Sequence, residues 1–70
     1  MTIGEKFKTY RKNLQLTLQA VSDDTNIAVS YLSDIERDKT QPSLKMLAKL
    51  TSYYGYTLPE LFEDVRVEWQ

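Results

Sequence analysis

The stretch Leu16-Thr17-Leu18-Gln19-Ala20-Val21-Ser22-Asp23-Asp24-Thr25-Asn26-Ile27-Ala28-Val29-Ser30-Tyr31-Leu32-Ser33-Asp34-Ile35-Glu36 decides how this chain folds. Two short helical patterns flank one tight break. Leu18, Val21 and Ser22 fall on one face of the first pattern, and Ala28, Leu32 and Ile35 recur at i, i+4 and i+7 on one face of the second. Thr17 suits an N-cap, because its hydroxyl can accept from an otherwise orphaned amide two or three residues on. Asn26 suits the break, because its short amide side chain tolerates a left-handed backbone better than most residues. Two helices joined by a three- or four-residue turn form a helix-turn-helix pattern. The second helix then turns an outer face of Val29, Ser30, Ser33 and Asp34 away from the first.

Working outward, Ile3, Phe7, Tyr10 and Leu14 make one amphipathic stripe and predict a helix over 3–13, with Gln15 in a short link to a helix over Thr17–Asp24. A third helix is expected over Ala28–Glu36. Pro42 disfavours a helical Gln41, so Asp38–Pro42 must be a loop. Ser43 can cap a fourth helix whose apolar set is Leu44, Leu47, Ala48, Leu50 and Tyr54, and Gly55 stands where a left-handed residue closes it. Thr57 and Glu60 have capping-box spacing around Pro59, so a fifth helix over 58–62 should drive Leu58, Leu61 and Phe62 inward. The fold class is therefore all-α: a compact bundle of five short helices over residues 1–62. Residues 63–70 form a tail in which Val65–Gln70 alternates apolar and polar. It can pair with a symmetry mate as a short strand, lay Trp69 over its own domain, or fray.

Seventy residues make one domain, whose core rarely supplies more than about 3–5 kcal/mol. Self-association is a reasonable expectation on that ground. The chain has no cysteine and no histidine, so it offers neither a disulfide nor a thiolate metal site, and no metal or cofactor is expected. No apolar run approaches the roughly 18 residues a membrane span needs, and the N-terminus lacks the apolar core of a signal peptide, so a cytoplasmic protein is expected. Catalysis is not expected either: nothing assembles carboxylates, lysines or hydroxyls into a pocket, and phosphate-cradling glycine loops are absent.

The net charge of −1 is low for a nucleic-acid binder, but its distribution is blocky. Lys6, Lys8, Arg11 and Lys12 outweigh Glu5 before the helix-turn-helix, and Arg37, Lys39, Lys45 and Lys49 outweigh Asp38 after it. Between them residues 13–36 carry Asp23, Asp24, Asp34 and Glu36 and no basic residue, and Glu60, Glu63, Asp64 and Glu68 outweigh Arg66 in the tail. Local potential matters more to a polyanion than the total, although such runs also occur as ordinary solvated faces. For Lys6, Lys8 and Lys12 the solvated reading is preferred. Tyr53, Tyr54 and Tyr56 cluster around Gly55 and suit a core or a dimer interface better than a base-stacking platform.

The run Ser30-Tyr31-Leu32-Ser33-Asp34-Ile35-Glu36-Arg37, followed by Lys39 and Pro42-Ser43-Leu44, resembles the Cro/cI-type (XRE) helix-turn-helix proteins of phages and bacteria. Tyr10-Arg11, Leu16-Thr17 and Thr57-Leu58-Pro59-Glu60-Leu61-Phe62 carry the same resemblance, which covers about Ile3 to Phe62. It implies a lambda-repressor-like bundle and a transcriptional regulator, most often a repressor, that binds double-stranded operator DNA as a homodimer. No membrane association and no small-molecule ligand domain are implied. With the recognition helix over about 28–36 in the major groove, Ala28, Val29, Ser30, Ser33 and Asp34 become base-facing candidates. Thr17, Arg37, Lys39, Thr40 and Gln41 become phosphate candidates, and Arg11 and Glu36 take the places of a buried structural ion pair between helices 1 and 3.

The chain also departs from the family pattern. Leu18 replaces a glutamine, Ala28 a capping serine or threonine, and Asn26 and Asp38 two glycines, while Asp24 and Thr25 replace a basic residue and a leucine. The outer face offers no arginine, lysine, glutamine or asparagine for bidentate base reading, so sequence preference would rest on methyl contacts and DNA shape. Asp34 can accept from a cytosine amino group, or it can pair with Arg37 three residues on. The acidic segment and the missing glutamine keep an alternative open: a protein-interaction module of the same fold, such as an antirepressor, an antitoxin-like partner or a dimerisation domain.

Overall fold

Thr2 opens the first helix, α1 (Ile3–Asn13), with a reciprocal capping box to Glu5 in the computed structural model, which describes residues 1–63 and 65. Phe7 and Tyr10 enter the core and Ile3 packs against it. Leu14, expected as the last member of that stripe, is instead the C-cap and is 52% exposed. The chain turns away at Gln15 (φ 57), where the amides of Gln15 and Leu16 close the helix onto the carbonyls of Lys12 and Arg11, so Leu14 never gets a following turn to pack with.

The second helix, α2 (Leu18–Thr25), starts on Thr17, whose hydroxyl accepts from the Ala20 amide at 3.0 Å. It ends at Asn26, held in the left-handed region at φ 62. Val21 is fully buried, with Leu18 packed against the core. The third helix, α3 (Val29–Glu36), buries Leu32 and Ile35. Ala28 does not share their face: it is the N-cap, outside the first turn, and is exposed. The buried residue at this entrance is Ile27. With Ile27 just before the cap and Leu32 at the fourth helical position, the two hold the places of a hydrophobic staple.

Ser43 caps the fourth helix, α4 (Leu44–Tyr53), by accepting from the Met46 amide. Leu47, Leu50 and Tyr54 are buried, but Leu44 is 65% exposed. A helical side chain leans toward the helix N-terminus, so a first-turn residue points past the start of its own helix rather than onto the core. Gly55, at φ +87, ends α4, with the Gly55 and Tyr56 amides donating to the Ser52 and Thr51 carbonyls. The last helix, α5 (Leu58–Phe62), begins with the Thr57–Glu60 capping box. Leu61 is fully buried and Leu58 half-buried, whereas Phe62 is 41% exposed. A five-residue helix can turn only one side inward; Leu58 and Leu61 occupy it, and Phe62 lies about a quarter-turn away.

Phe7, Val21, Leu50, Thr51 and Leu61 form the deepest layer. Thr25 and Thr51 are buried with their hydroxyls satisfied, donating to the carbonyls of Val21 (2.7 Å) and Leu47 (2.6 Å). Tyr10 stacks on Tyr56 with ring centroids 3.9 Å apart, and Phe7 and Tyr54 close the aromatic cluster. Lys6 is not simply solvated: its ammonium donates to the carbonyls of Glu60 (2.7 Å) and Glu63 (2.5 Å), capping α5 from α1. There is no strand among the described residues. The expected pairing or packing of Val65–Gln70 lies, apart from Val65 itself, outside them.

Candidate nucleic-acid interface

The turn at Asn26 and the buried Ile27 fix how α3 leaves α2, and that angle determines which α3 residues face outward. Leu32 and Ile35 point into the core, so Val29, Ser30, Ser33 and Asp34 lie on the opposite side. Ser30 is exposed and the other three are half-exposed. Ala28 adds an exposed methyl at the helix entrance and makes no side-chain cap hydrogen bond. Thr17 is exposed at the start of α2, although its hydroxyl is engaged with Ala20. Past α3, Arg37, Lys39 and Gln41 are exposed and Thr40 is half-buried.

Arg37 does not reach freely into solvent. Its Nη2 donates to Asp34 Oδ1 at 2.7 Å and its Nε to the Ser33 carbonyl at 3.3 Å, so the guanidinium folds back along the last turn of α3. Both side chains are about half exposed, and such pairs contribute only about 0.2–1 kcal/mol, so the fold does not depend on it. Its effect is electrostatic: the acid of the outer face and the first base beyond it partly cancel.

Beneath this face, Arg11 joins α1 to α3. Nε donates to Glu36 Oε2 at 2.7 Å, Nη2 to Glu36 Oε1 at 2.9 Å, and Nη1 to the Leu16 carbonyl at 2.9 Å. The fork-to-fork geometry suits a carboxylate, and the side chains are only 13% and 8% exposed. Hydrogen bonding to Glu36 raises the Arg11 pKa above its ordinary value, outweighing the opposing effect of burial. One guanidinium thus braces α1, the α1–α2 link and the end of α3.

Of the tyrosines with a raised pKa, Tyr53 and Tyr54 resist ionisation most strongly. The Tyr53 hydroxyl donates to Asp24 Oδ2 at 2.6 Å, linking α4 to α2, and that bond pushes its pKa up to about 12. Burial, then the nearby Glu36 charge, push Tyr54 up to about 12 as well. A folded pKa raised above 10 means stability fully present below pH 10 and lost as pH rises through about 12. Alkaline denaturation followed by circular dichroism should therefore show stability falling across that window. The slope should be shallower in Tyr54→Phe; an unchanged slope would show that the buried phenol does not drive the loss.

Residues 7–61 match the family model described as Helix-turn-helix. The chain belongs to the Cro/cI-type (XRE) helix-turn-helix family. It is 40% identical over 65 residues to the HTH-type transcriptional regulator DdrOP3 of Deinococcus deserti, covering 93% of this chain and 50% of that protein. It is 40% identical over 55 residues to the immunity repressor protein of Bacillus phage phi105, covering 79% of this chain and 38% of the repressor. Against the control protein C.MunI of a Mycoplasma species it is 35% identical over 66 residues, covering 93% of this chain and 89% of that protein. The chain spans about half the length of DdrOP3 and 38% of the phage repressor. No helix among the described residues is long and apolar enough to cross a membrane, and no group of acidic residues there could hold a metal ion.

Sequence reasoning missed four residues that shape this family member's site. Ile27 was legible as an apolar residue just ahead of a helix cap, and Thr25 as a β-branched residue one turn after Val21. Gly4 and Asp38 were not, because what they do depends on each other across 34 residues.

Proposed function

We propose that this protein is a DNA-binding transcriptional regulator, acting as a repressor and as a homodimer in the cytoplasm, with α3 in the major groove. The observation that carries the proposal is the outward face of α3, which no other described element covers over, with exposed Arg37 and Lys39 where its chain leaves. In this reading Ala28 and Val29 meet thymine methyls, Ser30 and Ser33 donate to or accept from base edges, and Asp34 accepts from a cytosine amino group or stays with Arg37. Arg37, Lys39, Thr40, Gln41 and Thr17 hold the phosphate backbone, which sets register rather than sequence. The names of the phage and bacterial relatives, a repressor and transcriptional regulators, support this assignment. Two copies would place their half-sites about 34–36 Å apart.

The Asp34–Arg37 pair favours one rival: a module of this fold that binds protein rather than DNA. Salt titration of binding to random duplex separates the two. Each phosphate contact adds about −0.9 to the slope of log K against log salt, so Lys39→Ala should make the slope shallower by roughly that amount. Absence of binding at low salt supports the rival. Val29→Arg should alter the sequences selected from a random DNA pool; an unaltered selection would remove Val29 from the base-facing set.

A further inference from the structure

Asp38 performs two roles at one joint. As the residue after the α3 C-cap it holds φ 58, and the amides of Asp38 and Lys39 close the helix by donating to the carbonyls of Ile35 (3.1 Å) and Asp34 (2.8 Å). Its side chain meanwhile reaches α1. Oδ2 accepts from the Thr2 hydroxyl at 2.6 Å, and Oδ1 from the Gly4 amide at 3.0 Å. That amide is one of the first-turn donors α1 cannot satisfy internally. Gly4 is buried, and a methyl there would lie 2.7 Å from the Glu36 carbonyl oxygen, so the α1 backbone itself abuts the end of α3. The partial negative charge of one helix end faces the partial positive charge of the other.

The turn alone does not require an aspartate. Glycine adopts the left-handed region without a Cβ penalty, and a carboxylate beside a polyanion opposes binding. What the aspartate adds is the pair of bonds to α1, and the chain beyond it runs directly into Lys39-Thr40-Gln41-Pro42 before the Ser43 cap of α4.

We infer that Asp38 is a positioning residue of the DNA-facing surface: by fastening the exit of α3 to the start of α1, it sets where Lys39, Thr40 and Gln41 meet the phosphate backbone. The inference rests on the DNA-binding reading above. A carboxylate that is merely solvated predicts the opposite sign for its removal, since losing a negative charge should tighten DNA binding.

Asp38→Gly keeps the turn and removes both bonds to Thr2 and Gly4. It should bind random and selected duplexes about tenfold more weakly, uniformly across sequences, with a salt slope shallower by about 1. Asp38→Asn, which still accepts from Gly4 and tolerates the left-handed backbone, should restore most of the affinity. Equal or tighter binding by Asp38→Gly overturns the inference. In the free protein, Thr2→Val should shift the amide resonances of Lys39–Gln41 and speed their hydrogen exchange, although Thr2 is 36 residues from Asp38. This variant removes one of the two bonds between Asp38 and α1 together with the cap bond from the Glu5 amide. Glu5→Ala, which weakens the capping box without touching Asp38, is therefore its control. Thr2→Val keeps the test open if Asp38→Gly melts too low to assay. Unmoved loop resonances in Thr2→Val overturn the joint alone. Failure of the wild-type protein to bind any duplex overturns the DNA-binding reading and, with it, the phosphate-placing role.

Discussion

Glu36→Ala is expected to leave much of the protein unfolded at room temperature. The Glu36 carboxylate is 8% exposed and accepts two hydrogen bonds from Arg11, itself 13% exposed. Truncating one partner strands the guanidinium with only the Leu16 carbonyl, and breaking a buried pair this way costs about 3–5 kcal/mol. A domain of 70 residues has a total margin of about that size. Thermal melts and urea midpoints by circular dichroism measure it, and an unchanged melting temperature would refute the bracing role. Replacing both partners, as Arg11→Met with Glu36→Leu, should be less damaging than Glu36→Ala alone, because no charge is then left buried without its partner.

Gly4→Ala should also destabilise, against what helix propensity suggests. Alanine is favoured over glycine by about 1 kcal/mol in a helix interior. Here the added methyl would press into the Ile35 carbonyl oxygen and come within 2.7 Å of both the Glu36 oxygen and the Asp38 carboxylate. Two of those three obstacles are backbone, which cannot swing aside, so the overpacking cost of about 1–3 kcal/mol falls at its upper end. The net loss should be about 2 kcal/mol, read as a drop in urea midpoint at constant m-value. Gly55 supplies the contrast: its φ is +87 and a methyl there meets nothing within 4 Å, so Gly55→Ala should cost only the left-handed strain of about 1–2 kcal/mol. A Gly4→Ala protein as stable as wild type would show that α1 can slide away from α3 at little cost.

The parts of this fold that local chemistry controls could be read directly. Thr17, Ser43 and Thr57 cap the helices their spacing assigned them, and Asn26 and Gly55 take left-handed backbone where turns were needed. Apolar periodicity located the helices but misjudged their ends. Leu14, Leu44 and Phe62 keep the right spacing, yet each sits at a helix terminus where the neighbouring element no longer covers it. Periodicity put Ala28 on the core face, whereas the family pattern put it at the capping position, where it lies. In the candidate site, the outward set on α3 follows once Leu32 and Ile35 are known to be buried. The folding-back of Arg37 onto Asp34 was one of two readings open to the sequence. The link from Asp38 to Thr2 and Gly4 was not readable, because no periodicity connects a loop carboxylate to a helix start 34 residues earlier.

The closeness of Thr2 to Asp38 bears on how the protein is handled at the bench. An affinity tag or fusion partner joined ahead of Thr2 emerges next to the loop that follows α3. It would crowd the face assigned to DNA and strain the hydroxyl–carboxylate bond that closes the joint. Gel-shift measurements on such a fusion would understate affinity for reasons unrelated to the native surface. A cleavable tag, removed before binding is measured, avoids that error.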